Sequence, residues 1–309
     1  MNGCKQAVEA GRDEPVIAVA LSTLEVRFEL VRKRYSQAVR PGRKNAERIH
    51  QLRVSTRRAS AALDLYNDFV PWKRATKMSN RLKRIRRTAG KVRDCDLLLT
   101  RFSSGVAQAE SPSFIKRLHA LRDDAYGALC RLHEKHSSHG RLKRLTRALL
   151  KRTRRRAKRR PRLAARKFKD WAPERFRAFV SDFFEAANPD LRDFAQLHQF
   201  RIRSKALRYA MELVAATFPP EFNNELYPVV ERLQTLLGDI NDESNFLKSV
   251  GTRLANKARL SDIDGLKHRM AQEQHVLDER EREFADWWTT ERRESLKRRF
   301  DEILAPRAA

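Results

Sequence analysis

Two short runs in this sequence carry the residue types with which proteins grip anions. The first is His50-Gln51-Leu52-Arg53-Val54-Ser55-Thr56-Arg57-Arg58 and the second is His198-Gln199-Phe200-Arg201-Ile202-Arg203-Ser204-Lys205-Ala206-Leu207-Arg208. On a helical wheel of about 100° per residue, His50, Arg53 and Arg57 fall within an arc of roughly 60°. His198, Arg201, Lys205 and Arg208 share an arc in the same way. Leu52, Ala59, Leu63, Tyr66 and Val70 gather on a different side of the first run, and Phe200, Leu207, Met211, Val214 and Phe218 do so in the second. Each run therefore reads as a helix that buries one face and offers a row of cations on another. Like charges at i,i+4, such as Arg53 and Arg57, cost ~0.2–0.5 kcal/mol per pair on an isolated helix. A bound anion turns that repulsion into charge-assisted hydrogen bonds. Arg presents a planar fork to phosphate oxygens, Lys a point charge and His a proton near neutral pH. For either helix alone, a solvated basic face is the plain alternative.

The two runs lie 148 residues apart, and the same register holds without a gap well outside them. Pro41 matches Pro189, Pro71 matches Pro219, Arg84 matches Arg232, Gly90 matches Gly238, Asp94 matches Asp242 and Leu99 matches Leu247. Prolines, a glycine and a His-Gln frame in one register indicate an internal duplication, and a cation row written twice favours an anion site over a solvated face. Lys83, Arg84, Arg87, Lys91 and Arg93 extend the cations in the first half, whereas Arg232 is the main addition in the second. The halves need not match in strength. Asp94 and Asp242 read as N-caps just after a glycine, the alternative being that they orient the neighbouring cations or the two histidines.

Other chemistry finds less support. Cys130-x2-His133-x2-His136-x2-His139 has metal-ligand residue types, but a continuous helix points its ends in opposite directions, so four ligands could not converge. The matching positions are Asp278, Glu281, Phe284 and Trp287, and the Asp94/Asp96 pair recurs only as Asp242 and Ser244. No metal and no cofactor is expected. A Gly-rich phosphate loop, a nucleophile beside a base and a carboxylate cluster for Mg²⁺ are all missing, so the expectation is a binder rather than an enzyme.

The elements that must carry these residues are helices. The 309 residues are 41% hydrophobic, hold only 10 glycines and 11 prolines, and show no alternating β-branched runs. Helices are predicted from Pro15 to Arg40, Lys44 to Val70, Trp72 to Ala89 with Gly90 as its cap, from Asp94 onward, and from Ser111-Pro112 to His136. The second half repeats the layout, with Pro173 to Asn188, Leu191 to Phe218, Glu221 to Leu237 before Gly238, a helix from Asp242, Ser261 to Trp288 and Thr290 to Leu304. Between the halves, 16 of the 29 residues from Arg141 to Lys169 are Lys or Arg and none is acidic. Lys151 to Arg160 taken alone should be disordered or frayed. The net charge of +28 calls for a polyanionic partner: nucleic acid, polyphosphate or an anionic membrane. Three scattered cysteines fit a reducing compartment, the polar first 14 residues lack a signal-peptide core, and no apolar run approaches a membrane span. A soluble cytoplasmic protein is expected. Aromatics are 8% of the chain and many sit on apolar stripes, which argues against a base-stacking surface.

At His50-x-x-Arg53…Arg57-Arg58, Gly90-x-x-Arg93-Asp94-x-Asp96, His198-x-x-Arg201…Lys205-x-Leu207-Arg208-Tyr209 and Leu237-Gly238-x-x-Asn241-Asp242, the sequence resembles the CHAD (conserved histidine α-helical domain) family. The resemblance runs from about Pro15 to Leu304. It implies an all-α fold of two tandem four-helix-bundle-like repeats, related by a pseudo-twofold around a basic central cavity or groove. Repeat one would span about 15–140, the basic connection 141–169 and repeat two about 170–304, with polar tails at 1–14 and 305–309. It also implies binding of inorganic polyphosphate, commonly with association to polyphosphate granules. Some members carry a fused CYTH domain with a Glu-x-Glu-x-Lys signature that is not found here, so a stand-alone member is expected. The anion would be held by His50, Arg53, Arg57, Arg58, Arg84, Arg87, Lys91, Arg93, His198, Arg201, Lys205, Arg208 and Arg232. The 141–169 block is more basic than the fold requires. It leaves open a nucleic-acid-binding or granule-organising role, and beyond that the lesser alternative of polyphosphate processing.

Overall fold

The computed structural model describes residues 11–42, 45–104, 112–137, 140–188, 193–254 and 260–305. Among these, helices account for nearly all regular structure, and the only β pairing is an isolated bridge between Pro15 and Lys167. The chain divides into two compact units, the first ending at Trp171 and the second beginning at Ala172.

In the first unit, α1 (Val16–Ala38), α2 (Asn45–Leu65), α3 (Trp72–Ser104) and α4 (Pro112–Ser137) each pack on the next. Small residues on α2, namely Ser55, Ala59, Ala61 and Ala62, are buried and let it sit closely between α1 and α3. Tyr35 and Ala38 of α1, Ile49 and Leu52 of α2, Ile85, Ala89 and Val92 of α3 and Leu129 of α4 make one core cluster. These are the i, i+3, i+4 positions of each helix, as an amphipathic stripe requires.

α3 corrects the sequence reading. It is one helix of 33 residues in which Gly90 is no cap and Asp94 no N-cap. Gly90 does not take a positive φ. The apolar stripe of Leu82, Ile85, Ala89 and Val92 continues through Cys95, Leu98 and Phe102, all buried. That continuous burial outweighs the ~1 kcal/mol a mid-helix glycine costs.

The basic block also differs from expectation, because α5 (Arg141–Ala157) is a regular helix. Leu142, Leu145, Leu149, Leu150, Thr153 and Ala157 are buried on one side, where α5 meets α1, α3 and α4, and tertiary packing overcomes the repulsion among its cations. A short α6 (Pro161–Ala165) follows. The next residues strap the chain to its own beginning: Val16 N–H donates to the Arg166 carbonyl at 2.8 Å and Phe168 N–H to the Glu14 carbonyl at 2.9 Å. Trp171 stacks on Tyr66 with ring centroids 5.6 Å apart.

That strap explains why α7 (Phe168–Glu185) begins before Pro173 rather than at it. Burial of Phe168 and Trp171 anchors an additional turn ahead of the proline. In the second unit, Phe176 of α7 meets Phe218, Phe222 and Phe300, while Phe183 meets Phe200 and Trp288. Trp288 donates its indole N–H to the Ala187 carbonyl at 2.8 Å, which makes it a packing residue. α8 (Phe194–Val214) carries the second cation run and is N-capped by Asp193. The start once expected for it, Leu191, lies outside the described residues. A 3₁₀ turn (Ala215–Thr217) and a π turn (Phe222–Leu226) lead to α9 (Tyr227–Leu254), which passes unbroken through Gly238 and Asp242. α10 (Leu260–Trp287) and α11 (Thr290–Leu304) complete the unit. α4 starts at Pro112 and α10 at Leu260, so element order as well as sequence recurs at the 148-residue spacing. No helix among the described residues is long and apolar enough to cross a membrane.

Candidate anion-binding site

α2 sets His50, Arg53 and Arg57 along the side that borders α3, because its opposite face is taken up by Ile49, Leu52, Ala59 and Leu63 in the core. Arg58 falls off this arc and is buried, at 9% exposure, so it belongs to the interior rather than to the exposed row. Arg53 crosses over α3 at Gly90. A Cβ built on Gly90 would lie 2.3 Å from the Arg53 Nη1 atom. Glycine is therefore what lets the guanidinium lie against the helix, with Nη1 donating weakly to the Arg86 carbonyl at 3.4 Å.

The electrostatics at this crossing are unusual. Burial, first, and then the charges of Arg57, Arg86 and Arg93 pull the Arg53 pKa down to about 10, with only Asp94 acting the other way. His50 is held below its ordinary value, first by burial and then by Arg93, Arg57 and Arg53, against Glu47. The sequence offered Asp94 chiefly as a cap; inside α3 it is instead the carboxylate whose charge acts on Arg53. Arg86 escaped the sequence reading because it sits between α3's apolar stripe and its exposed row. Its spacing from Arg93, two helical turns, was the available signal.

Beyond Gly90, α3 turns its remaining cations outward. Lys83, Arg84, Arg87 and Lys91, with Asn80 and Thr88, line an open groove of about 530 Å³. At 100° per residue this row begins beside the Arg53 crossing and continues round the helix. The pattern of α3 is lopsided, with eleven Lys or Arg against two Asp.

The second unit brings its own cations together differently. Arg208 donates to Gln234 at 2.7 Å, to the Tyr227 hydroxyl at 2.9 Å and to Glu212 at 3.2 Å, and lies over the Tyr209 ring. It serves a half-buried network. Arg201 pairs with Asp242 at 3.6 Å, and Arg232 with Glu283 at 2.6 Å. His198 is exposed and stacks on Phe194. Lys205 is half-buried on the same helix. α9 holds three Lys or Arg and four Asp or Glu, so the cations of this unit face carboxylates of their own. Asp239, held above the ordinary carboxylate range first by burial, sits among them.

Among the described residues no group of three or more His, Cys, Asp or Glu could hold a metal ion. Cys130 is half-buried on α4, His133 and His136 turn toward Tyr35, and His139 lies outside the described residues.

Known proteins share this fold. The family model for the CHAD domain matches residues 24–246. The crystal structure of the CHAD domain from the plant Ricinus communis is similar with a TM-score of 0.71 and 17% identity, over 92% of this chain and 95% of that one. PptA from Streptomyces chartreusis is similar with a TM-score of 0.60 and 17% identity, over 89% of this chain and 99% of that one. Both likenesses speak to the fold. Comparison with curated proteins gives no match.

Proposed function

The chain belongs to the CHAD domain family, and from that membership and the cation cluster of the first unit we propose that it binds inorganic polyphosphate without processing it. The observation that carries the reading is Arg53, desolvated over Gly90 among Arg57, Arg86 and Arg93. Cations held close together at a cost in repulsion are pre-organised for a multivalent anion, whose attraction to each of them offsets that repulsion. A flexible chain of phosphates, each unit charged, can pass from this crossing onto the row Lys83, Arg84, Arg87 and Lys91. The cations of the second unit contribute less, because Glu212, Asp242 and Glu283 already meet Arg208, Arg201 and Arg232. Association with polyphosphate granules follows from such binding. Arg53→Glu together with Arg57→Glu should abolish polyphosphate binding in a filter or fluorescence assay while helicity persists. Undiminished affinity would refute the assignment. Incubation with polyphosphate should release no orthophosphate, and a steady release would make the protein an enzyme.

A second reading rests on α5. Nine of its seventeen residues are Lys or Arg and none is acidic, whereas α11, at the same place in the second unit, carries four Asp or Glu. With its apolar side buried, α5 offers a purely electrostatic surface suited to a nucleic-acid backbone without base readout. Competition distinguishes the two readings: long-chain polyphosphate should displace duplex DNA at lower phosphate concentration than the reverse.

A further inference from the structure

His133 and His136 have the residue types of a metal site but stand in a different setting. A cavity of about 120 Å³ lies inside the first unit where α5 begins, lined among others by Tyr35 and Ser36 of α1, His133 and His136 of α4, and Gly140 and Lys143 at the α5 N-terminus. That volume is several times the ~10–15 Å³ that admits a single water.

Four features of its wall point to one kind of occupant. First, α5 is seventeen residues long, and its N-cap Gly140, at φ 59°, provides no side-chain acceptor. No acidic residue stands in its first turn. The first N–H groups of the helix and its positive dipole end are thus directed at this region. Second, Tyr35 is 1% exposed and His136 2%, yet among the described residues neither the Tyr35 hydroxyl nor His136 Nδ1 has a hydrogen-bond partner. Third, His136 Nε2 faces Arg81 Nη1. A guanidinium only donates, so Nε2 must accept and the imidazole proton resides on Nδ1. This tautomer leaves no lone pair on Nδ1 for a metal and makes it a second buried donor beside the Tyr35 hydroxyl. Fourth, the surrounding charge is positive. Arg32 and Lys143 border the cavity, and Arg81 and Arg84 act on His136. The neighbouring carboxylates are Glu29, which Arg32 binds, and Glu134, which acts on His133.

We propose that this cavity is a second anion site, shaped for one phosphate-sized oxyanion, with the Tyr35 hydroxyl, His136 Nδ1–H and the first N–H groups of α5 as donors and Lys143 as counter-charge. Ser36, whose hydroxyl lies 3.4 Å from His133 Nε2, can add a further donor. The shared chemistry is that of a tetrahedral phosphate oxyanion, whether free orthophosphate or the terminal group of a longer chain. The inference is independent of the Arg53 crossing.

The test is NMR of the full chain with ¹⁵N-labelled histidine, titrated with inorganic phosphate at constant ionic strength against chloride. The His136 signal is assigned by its loss in His136→Gln. Phosphate should give a saturable shift of the His136 and His133 imidazole signals. Tyr35→Phe removes only a hydroxyl that has no partner among the described residues, so the variant folds, and its affinity for phosphate should fall about tenfold or more. Lys143→Gln should weaken it as well, while Arg53→Glu with Arg57→Glu should leave it unchanged. A long-chain polyphosphate arm producing the same His136 shift would identify the terminal group as a ligand; silence in that arm would assign the site to orthophosphate. A shift that does not saturate, that chloride reproduces, or that Tyr35→Phe leaves untouched would overturn the proposal.

Discussion

Arg53 shows how one residue can be placed at the expense of charge repulsion. Its guanidinium rests where any side chain on residue 90 would stand. Gly90→Ala tests this directly, because the obstruction falls on the end of a flexible side chain and not on backbone. The substitution should leave stability unchanged or raise it by about 0.5–1 kcal/mol, the usual gain for alanine over glycine inside a helix. Polyphosphate affinity should nevertheless drop, since Arg53 is displaced. Thermal unfolding and a binding isotherm on the same variant check both signs. His50 gives a pH prediction. In the free protein it is held below its ordinary value by burial and by Arg93, Arg57 and Arg53. A bound polyanion offsets those charges and raises it, so binding takes up a proton. Affinity should therefore increase as pH falls through the neutral range, and His50→Gln should flatten that dependence. Calorimetry in buffers of different ionisation enthalpy measures the proton uptake.

At the scale of the element, the two cation helices have the same pattern and opposite roles. α2 sends its row toward α3, which is rich in cations; α8 sends Arg208 into a network with Glu212, Tyr227 and Gln234. Arg208→Ala should destabilise the protein by about 1–3 kcal/mol, because the half-buried Glu212, Tyr227 and Gln234 each lose a charged donor, and should change polyphosphate affinity little. Chemical denaturation beside a binding assay separates the two effects. α5 shows the converse of the usual helix logic: its charge pattern alone predicts disorder, and its leucines order it. Leu149, fully buried, should cost about 2–5 kcal/mol on truncation to alanine. Reversing exposed cations such as Lys151, Arg154 and Arg155 to Glu should spare the fold and remove only what α5 itself binds.

For the whole molecule, acid sensitivity should trace to His136. It is buried, and burial, with Arg81 and Arg84 next, depresses its pKa to about 4. The unfolded chain takes the proton near the ordinary pKa of about 6.5, and the native protein does not. Stability is thus complete above that value and declines as pH falls from about 6.5 toward 4, by up to about 3 kcal/mol. His136→Leu should flatten the decline, as seen in denaturation midpoints across that range. Phosphate in the neighbouring cavity would oppose the same loss.

The sequence alone determined the helical class and the helix ends that prolines and tight turns punctuate, as at α1, α4 and α11, because apolar periodicity and such breakers are local or linear properties. It also determined which residues stand in the two cation rows. Tertiary structure decided which of those cations face carboxylates and which face other cations. Arg53 and Arg208 both stand in a cation row, yet one meets Gly90 and further arginines while the other meets Glu212 and Tyr227. Those partners are supplied by other helices, distant in sequence. The same reason turned Gly90 from a helix end into a crossing point, ordered the basic block as α5, and brought His136 beside Tyr35. Periodicity fixes the face on which a side chain stands; what stands opposite depends on packing, and that sets whether a charge is neutralised, buried or available.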